Sequence, residues 1–334
     1  MSLSWNARLD NIFGAGASSR GLPIVATAFA GIALTLISSS LSVARSPKLL
    51  KAPTPKNEGA YPFDLFEEGR HDLTTPYGNI RYYEVGPEDG KKVLLVHGIS
   101  TPSPAWKFLV PALIKAGYRV LCYDLPGRGY SDTPQVAHDT ALLVSHLALL
   151  LAALPHWDKF TIIGMSMGGP IASAFATYYP QRIHAVFLIC PAGATPRRDL
   201  KLSSYLIRSS WFPHSLAKLF ILGNFAPLPV PKGIDTLPGW QLKFHSGFAF
   251  ALTSSIQSAP LYDGTAFLQN VVDVFGPKVE AVWGDDDTIV PMETSQYIKG
   301  LNVRCIPGAG HFALLTHPDQ VSAHMLDFLS KAAA

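Results

Sequence analysis

The stretch FTIIGMSMGGPIASAFATYYP, residues 160–180, decides how the rest of the chain is read. Its first part, FTIIGMS, reads as a buried strand, and PIASAFATYYP reads as a helix. Between them Gly164, Gly168 and Gly169 surround a single hydroxyl, that of Ser166. A plain strand-to-helix junction needs at most one glycine. Three imply a bend so tight that a side chain two residues before or after the serine would collide with a neighbouring strand or helix. Gly164-Met165-Ser166-Met167-Gly168 is G-x-S-x-G after a strand and before a helix, the context in which it forms a strained turn that exposes the serine. By chance the pattern turns up in about one chain in ten of this length, so its partners must decide.

Outward from that turn, NIRYYEVG (79–86) and KKVLLVHG (91–98) read as strands, with PEDG between them as a hairpin-like connection. From there helix and strand alternate. SPAWKFLVPALIKAG precedes the strand YRVLCYD, HDTALLVSHLALLLAAL precedes FTIIGMS, and PIASAFATYYP precedes IHAVFLIC. Near-continuous apolar strands separated by helices imply an α/β fold, a mostly parallel twisted sheet with helices on both faces. The rhythm breaks between Thr195 and Phe275, then resumes with KVEAVWG, a helix METSQYIKG, the strand NVRCIPG and a final helix PDQVSAHMLDFLSKA. An insertion explains the break. It carries Trp211, Phe212, Phe220, Phe225, Trp240, Phe244, Phe248, Phe250 and Phe267, enough for a small core of its own and for an apolar pocket over the site.

At 334 residues, 48% hydrophobic and 15% charged, the chain can bury a large core and is neither fibrous nor disordered by composition. A net charge of +3 gives no footprint for nucleic acid. Cys122, Cys190 and Cys305 each fall in a strand-like run and read as small buried hydrophobes; no zinc spacing and no disulfide framework is present. With no Asn-x-Ser/Thr sequon either, a reducing compartment is favoured.

Residues 21–44, GLPIVATAFAGIALTLISSSLSVA, contain no Asp, Glu, Lys, Arg or His and are long enough to cross a bilayer as a helix. Three readings compete: a retained single-pass membrane anchor, which is preferred, a mitochondrial targeting segment, and a secretory signal cleaved after Ser42-Val43-Ala44. Arg45, Lys48, Lys51 and Lys56 follow the segment with no acid among them, so a retained anchor would leave the globular part facing the cytosol. The expected organisation is a lead (1–20), a transmembrane helix (21–44), a tether (45–59), a core in two parts (60–194 and 276–334) and a cap (195–275).

A serine hydroxyl is a weak nucleophile at neutral pH and needs a base, itself oriented by a third group. GAGHFALLTHPD puts His311 in the loop after the last strand, and VWGDDDTIVP puts Asp285, Asp286 and Asp287 after the penultimate one. Both loops reach the sheet edge that carries Ser166. His317 is a rival base, but its place before Pro318 at the start of the final helix suggests the surface. His146 reads as a core residue.

Four motifs together, HGIS (97–100), DLPGRGYSD (124–132), GMSMGG (164–169) and the pair GDDDTIVP and GAGHF, resemble the α/β-hydrolase superfamily, over residues 61–334 and in the form with a helical cap inserted after the sixth strand. The chain order Ser, Asp, His matches. The family's Gly-x-x-Asp-x-x-x-Pro falls on Gly284, Asp287 and Pro291, which selects Asp287 as the acid over Asp286. By the same resemblance the backbone N–H groups of Ile99 and Met167 form the oxyanion hole, His97 fixes its loop, and DLPGRGYSD buttresses the site. The implied activity is hydrolysis of a carboxylic ester, a lipophilic one, through an acyl-enzyme on Ser166, with no cofactor or metal. C–C bond hydrolases, thioesterases, amidases and perhydrolases share the serine triad and remain alternatives, as does a catalytically silent binding protein. Haloalkane dehalogenases and epoxide hydrolases are set aside because they carry Asp where Ser166 stands.

Overall fold

The computed structural model describes residues 47–54, 64–196, 202–209, 212–223 and 236–332. The lead, the 21–44 segment, residues 45–46 and 55–59 of the expected tether, and Trp211 and Phe225 of the insertion lie outside the described residues. Among those described, no helix is long and apolar enough to cross a membrane.

The strands, numbered along the chain, are β1 (Leu49–Leu50), β2 (Arg70–Thr75), β3 (Gly78–Val85), β4 (Lys91–Val96), β5 (Tyr118–Tyr123), β6 (Thr133–Pro134), β7 (Phe160–Met165), β8 (Ile183–Ile189), β9 (Val279–Gly284) and β10 (Asn302–Ile306). Eight form one sheet in the order β10-β9-β8-β7-β4-β5-β3-β2, parallel except where β3 meets β5 and β2. Position follows sequence. β7 and β9 are buried at every residue and lie inside the sheet, whereas β2 and β10 are mostly open and form its edges.

Around the sheet run α1 (Leu109–Lys115), α2 (Thr140–Ala152), α3 (Gly168–Tyr178), α4 (Leu202–Arg208), α5 (His214–Gly223), α6 (Leu237–Phe244), α7 (Phe248–Ser258), α8 (Thr265–Phe275), α9 (Ala313–Thr316) and α10 (Pro318–Ala332). Helices α2, α3 and α8 pack together on one side, α1 and α10 on the other. Asp139 starts α2 by accepting the Leu142 N–H, so His146 is carried inward into the core as expected. Helices α4, α5 and α7 build the insertion's own core from Ile207, Ala217, Ile221, Phe248 and Leu252, with Phe212 and Phe220 against it. Trp240 and Phe267 join the main core instead.

Four expectations are corrected. β3 and β4 do not form a hairpin: the Pro87–Gly90 turn exists, but β5 lies between the two strands. The apolar β4 has β5 and β7 as neighbours, while the alternating β3 suits a place near the edge. Strand β2, RHDLTT, is too polar to announce itself. Residues 47–54 are not a free tether, because β1 pairs with β6 and the Asp132 carboxylate accepts from Lys51 Nζ at 2.9 Å and from Ala52 N–H at 2.8 Å. Cys305 is exposed, since β10 is an edge; Cys122 and Cys190 are buried. In addition, the helix expected in METSQYIKG is a 3-10 turn over Met292–Tyr297.

A layer of buried histidines runs between sheet and insertion. His97 donates through Nδ1 to the Gly98 carbonyl at 2.7 Å and accepts the Leu125 N–H on Nε2 at 2.9 Å. His245 donates to the Ser131 carbonyl and accepts from the Gly247 N–H. His138 faces the Pro134 carbonyl on one side and the Arg128 guanidinium on the other. Each ring is satisfied only when neutral. Burial, above all, pushes His97, His138 and His146 down to about 3 and His245 to about 4. The unfolded chain, with values near 6.5, therefore takes up protons that the folded chain refuses, so stability is full above about pH 6.5 and is lost as pH falls towards 3 to 4. At pH 5.5 the four rings together should cost about 6 kcal/mol, comparable with a whole domain's stability. Urea unfolding at pH 7.5 and 5.5 should reveal that loss; equal stability at the two values would contradict it.

Candidate active site

Ser166 follows β7 directly and has φ 52°, in the left-handed region, where side chains other than glycine are strained. The three glycines around it are not in that region; they make room. A Cβ on Gly164 would lie 2.3 Å from the Gly168 carbonyl oxygen, one on Gly168 2.0 Å from the Val96 oxygen, and one on Gly169 2.6 Å from Pro191 Cβ. Hydrogen bonds fix the serine from both sides: its N–H donates to the Ile189 carbonyl, and its carbonyl accepts from Gly169 and Ala192. The hydroxyl is thereby presented at the carboxyl edge of the sheet.

His311 and Asp287 arrive there from the loops after β10 and β9. His311 Nε2 is 2.9 Å from Ser166 Oγ, and His311 Nδ1 is 2.8 Å from Asp287 Oδ2. The other carboxylate oxygen, Oδ1, accepts from the N–H groups of Ile289 at 2.9 Å and Val290 at 2.8 Å, so the carboxylate cannot turn away. The two loops are tied together: Asp285 Oδ1 accepts the Gly308 N–H, and Asp286 N–H donates to the Ala309 carbonyl. Asp285 and Asp286 are exposed and order the turn, while Asp287 is buried. His317 bonds the Thr316 hydroxyl and lies away from this group.

Ile99 and Met167 flank the serine. Met167 is fully buried at the N-terminus of α3. Gly98, just before Ile99, approaches so closely that a Cβ there would sit 3.3 Å from Ser166 Cβ. His97 and the DLPGRGYSD segment support this loop: Asp124, buried, accepts the Ser103 N–H at 2.9 Å and the Tyr130 N–H at 3.0 Å.

One neighbour reads from sequence only as a small buried hydrophobe. Cys190 follows β8 at φ 42°, and its thiol lies within 4.8 Å of the ligating atoms of Asp287 and His311. Burial, then the charge of Asp287, pushes that thiol up to about 12, so it stays protonated at neutral pH. The three groups are of metal-ligating types, but the His311 to Asp287 hydrogen bond already occupies a ring nitrogen and a carboxylate oxygen that an ion between them would need.

A family model described as alpha/beta hydrolase fold matches residues 91–318. The chain belongs to that family. It is 30% identical over 258 residues to a dihydrolipoyllysine-residue acetyltransferase component of an acetoin cleaving system from Pseudomonas putida, covering 75% of this chain and 67% of that one. It is 23% identical to the monoacylglycerol lipase ABHD6 of Rattus norvegicus, over 73% of this chain and 77% of that protein. In fold it is similar to a thermophilic esterase of Thermogutta terrifontis, with a TM-score of 0.63 at 24% identity, over 79% of this chain and 99% of the other.

Because strain resides at Ser166 itself, Ser166→Gly should be about 1 kcal/mol more stable than Ser166→Ala, which keeps a Cβ in the left-handed region. Urea denaturation of the two variants measures the difference; a glycine variant no more stable than the alanine one would contradict the strain.

Proposed function

We propose that this alpha/beta hydrolase family member is a serine esterase acting on lipophilic carboxylic esters. The observation that carries the reading is the continuous relay from Ser166 Oγ through His311 to Asp287, at 2.9 and 2.8 Å, on a serine held in a left-handed turn. In this reading His311 Nε2 takes the Ser166 proton as Oγ attacks the ester carbonyl. Asp287 keeps Nδ1 protonated and faces the imidazolium that forms. The tetrahedral oxygen rests on the N–H groups of Ile99 and Met167, the latter at a helix N-terminus whose dipole favours negative charge. The C–O bond then breaks, the alcohol leaves with the proton from His311, and water repeats the sequence on the acyl-enzyme.

Two features support a lipophilic substrate. The insertion's small apolar core of Ile207, Ala217, Ile221, Phe248 and Leu252 has Ile99 packed against it, and a monoacylglycerol lipase is among the relatives. Residues 21–44 fit a membrane anchor that would keep the site beside bilayer-dissolved esters. Alkaline carbonate should leave the full-length chain with the membranes; its release would remove the anchor from the account.

On the full-length chain in detergent, a fluorophosphonate should label wild type and not Ser166→Ala. Hydrolysis of p-nitrophenyl esters should rise with acyl length. Ser166→Ala or His311→Ala should lower kcat by about 10⁴–10⁶, and Asp287→Asn by about 10⁴. A folded wild type that labels but cleaves no ester would move the reaction to a thioester, amide or C–C bond; one that does neither would leave a binding protein.

A further inference from the structure

The loop that carries Ile99 is held on its carbonyl side by two buried side chains that sequence alone does not connect to it. Arg128, fully buried, donates Nε–H to the Ile99 carbonyl at 3.0 Å. Gln241, fully buried on α6 of the insertion, donates Nε2–H to the next carbonyl, Ser100, at 2.9 Å. Each also grips a second element. Arg128 reaches α7 through the Ser255 hydroxyl at 2.8 Å and the Ala251 carbonyl at 3.4 Å. Gln241 Oε1 accepts the Gly129 N–H at 2.9 Å, beside Arg128 in the chain. The result is a closed circuit of hydrogen bonds joining residues 99–100, residues 128–129, α6 and α7.

Stability does not account for this arrangement. Among the described residues the partners of Arg128 are carbonyls, a hydroxyl and the His138 ring rather than a carboxylate, and burial lowers it to about 9, still a cation at neutral pH. A buried, unneutralised guanidinium is costly, and apolar side chains of similar volume would hold two elements together at least as well. What arginine adds is a rigid fork of donors that fixes carbonyl directions, and lysine cannot reproduce it. The Ile99 N–H belongs to the same planar peptide as the Gly98 carbonyl, which His97 Nδ1 holds at 2.7 Å. With His97 on one peptide oxygen and Arg128 and Gln241 on the next two, the direction of the Ile99 N–H is over-determined.

The geometry points to Arg128 and Gln241 as positioning residues that lock the Ile99 peptide to the insertion, so that the donor for the tetrahedral oxygen is aimed only while α6 and α7 are seated. This rests on the serine-esterase reading. Neither residue touches the reacting atoms; both act through the loop.

Full-length Gln241→Met, Gln241→Glu and Arg128→Lys test it, each assayed well below its melting midpoint with active serines counted by fluorophosphonate titration. Per labelled serine, kcat for a p-nitrophenyl ester should fall about 10- to 100-fold while KM moves less than about threefold. A trifluoromethyl ketone, whose adduct needs the same donor, should bind more weakly by the same factor as the fall in kcat/KM. A role in folding alone would lower the melting midpoint and leave both quantities unchanged. Gln241→Glu keeps an acceptor for the Gly129 N–H and sets a carboxylate oxygen, which cannot donate when ionised, against the Ser100 and Leu237 carbonyls, so with Arg128→Lys it keeps the test open if Gln241→Met does not fold. If wild type labels and turns over but the folded variants keep kcat within about threefold, the clamp is overturned and the esterase reading stands. If wild type neither labels nor turns over, both fall together.

Discussion

The backbone of Ser166 is the constraint on which the rest of the site depends. At φ 52° it is strained, and it stays there because its N–H and carbonyl bond to the turn after β8 and to the start of α3. That turn works only if β7, α3 and the loop after β4 come closer than side chains allow, hence the glycines at 164 and 168. The sheet order follows from the same requirement. β7 must lie inside the sheet, between β4 and β8, so that the loop carrying Ile99 and the turn carrying Cys190 reach the serine from opposite sides.

Two arms then meet at the hydroxyl and are held by different physics. The arm proposed for acid–base work is local: Asp287 and His311 sit on adjacent loops that bond to one another, and Trp283 Nε1–H braces the first through the Val290 carbonyl. The arm proposed to hold the oxyanion is long-range. It depends on a buried polar layer, His97, Asp124, Arg128 and Gln241, shared between core and insertion. Such a layer is costly to bury, and His97 within it is satisfied only when neutral, which links the support of the Ile99 loop to the acid sensitivity expected of the buried histidines.

What was legible in the sequence divides along the same line. Ser166 lies in a motif whose turn carries its own geometry and His311 in the loop after the last strand, while the choice of Asp287 among three aspartates comes from the resemblance to the family pattern. Long apolar strands gave the α/β sheet, because burial on both faces is written in composition. Pairing was harder. The turn at 87–90 looks like a hairpin, and only the need of the apolar β4 for two neighbours places β5 between the strands. Strand β2 carries no pattern of its own because an edge strand can be polar, and Cys305 reads as buried only because it lies in a strand-like run, although that strand is an uncovered edge. Arg128 lies in DLPGRGYSD, which reads only as a supporting loop, and Gln241 carries no local signal. The bonds that tie core to insertion span more than a hundred residues, to Ser255 for Arg128 and to Ser100 for Gln241.

The central claim is that Ser166 Oγ becomes acylated during turnover. Intact-mass and peptide analysis of the full-length chain, quenched in acid during hydrolysis of a slow p-nitrophenyl ester, tests this most directly. The account predicts a mass increase equal to one acyl group, mapped to the peptide holding Ser166 and absent from Ser166→Ala. Turnover with no acyl adduct on that peptide under any quench time, or an adduct on another residue, would contradict it.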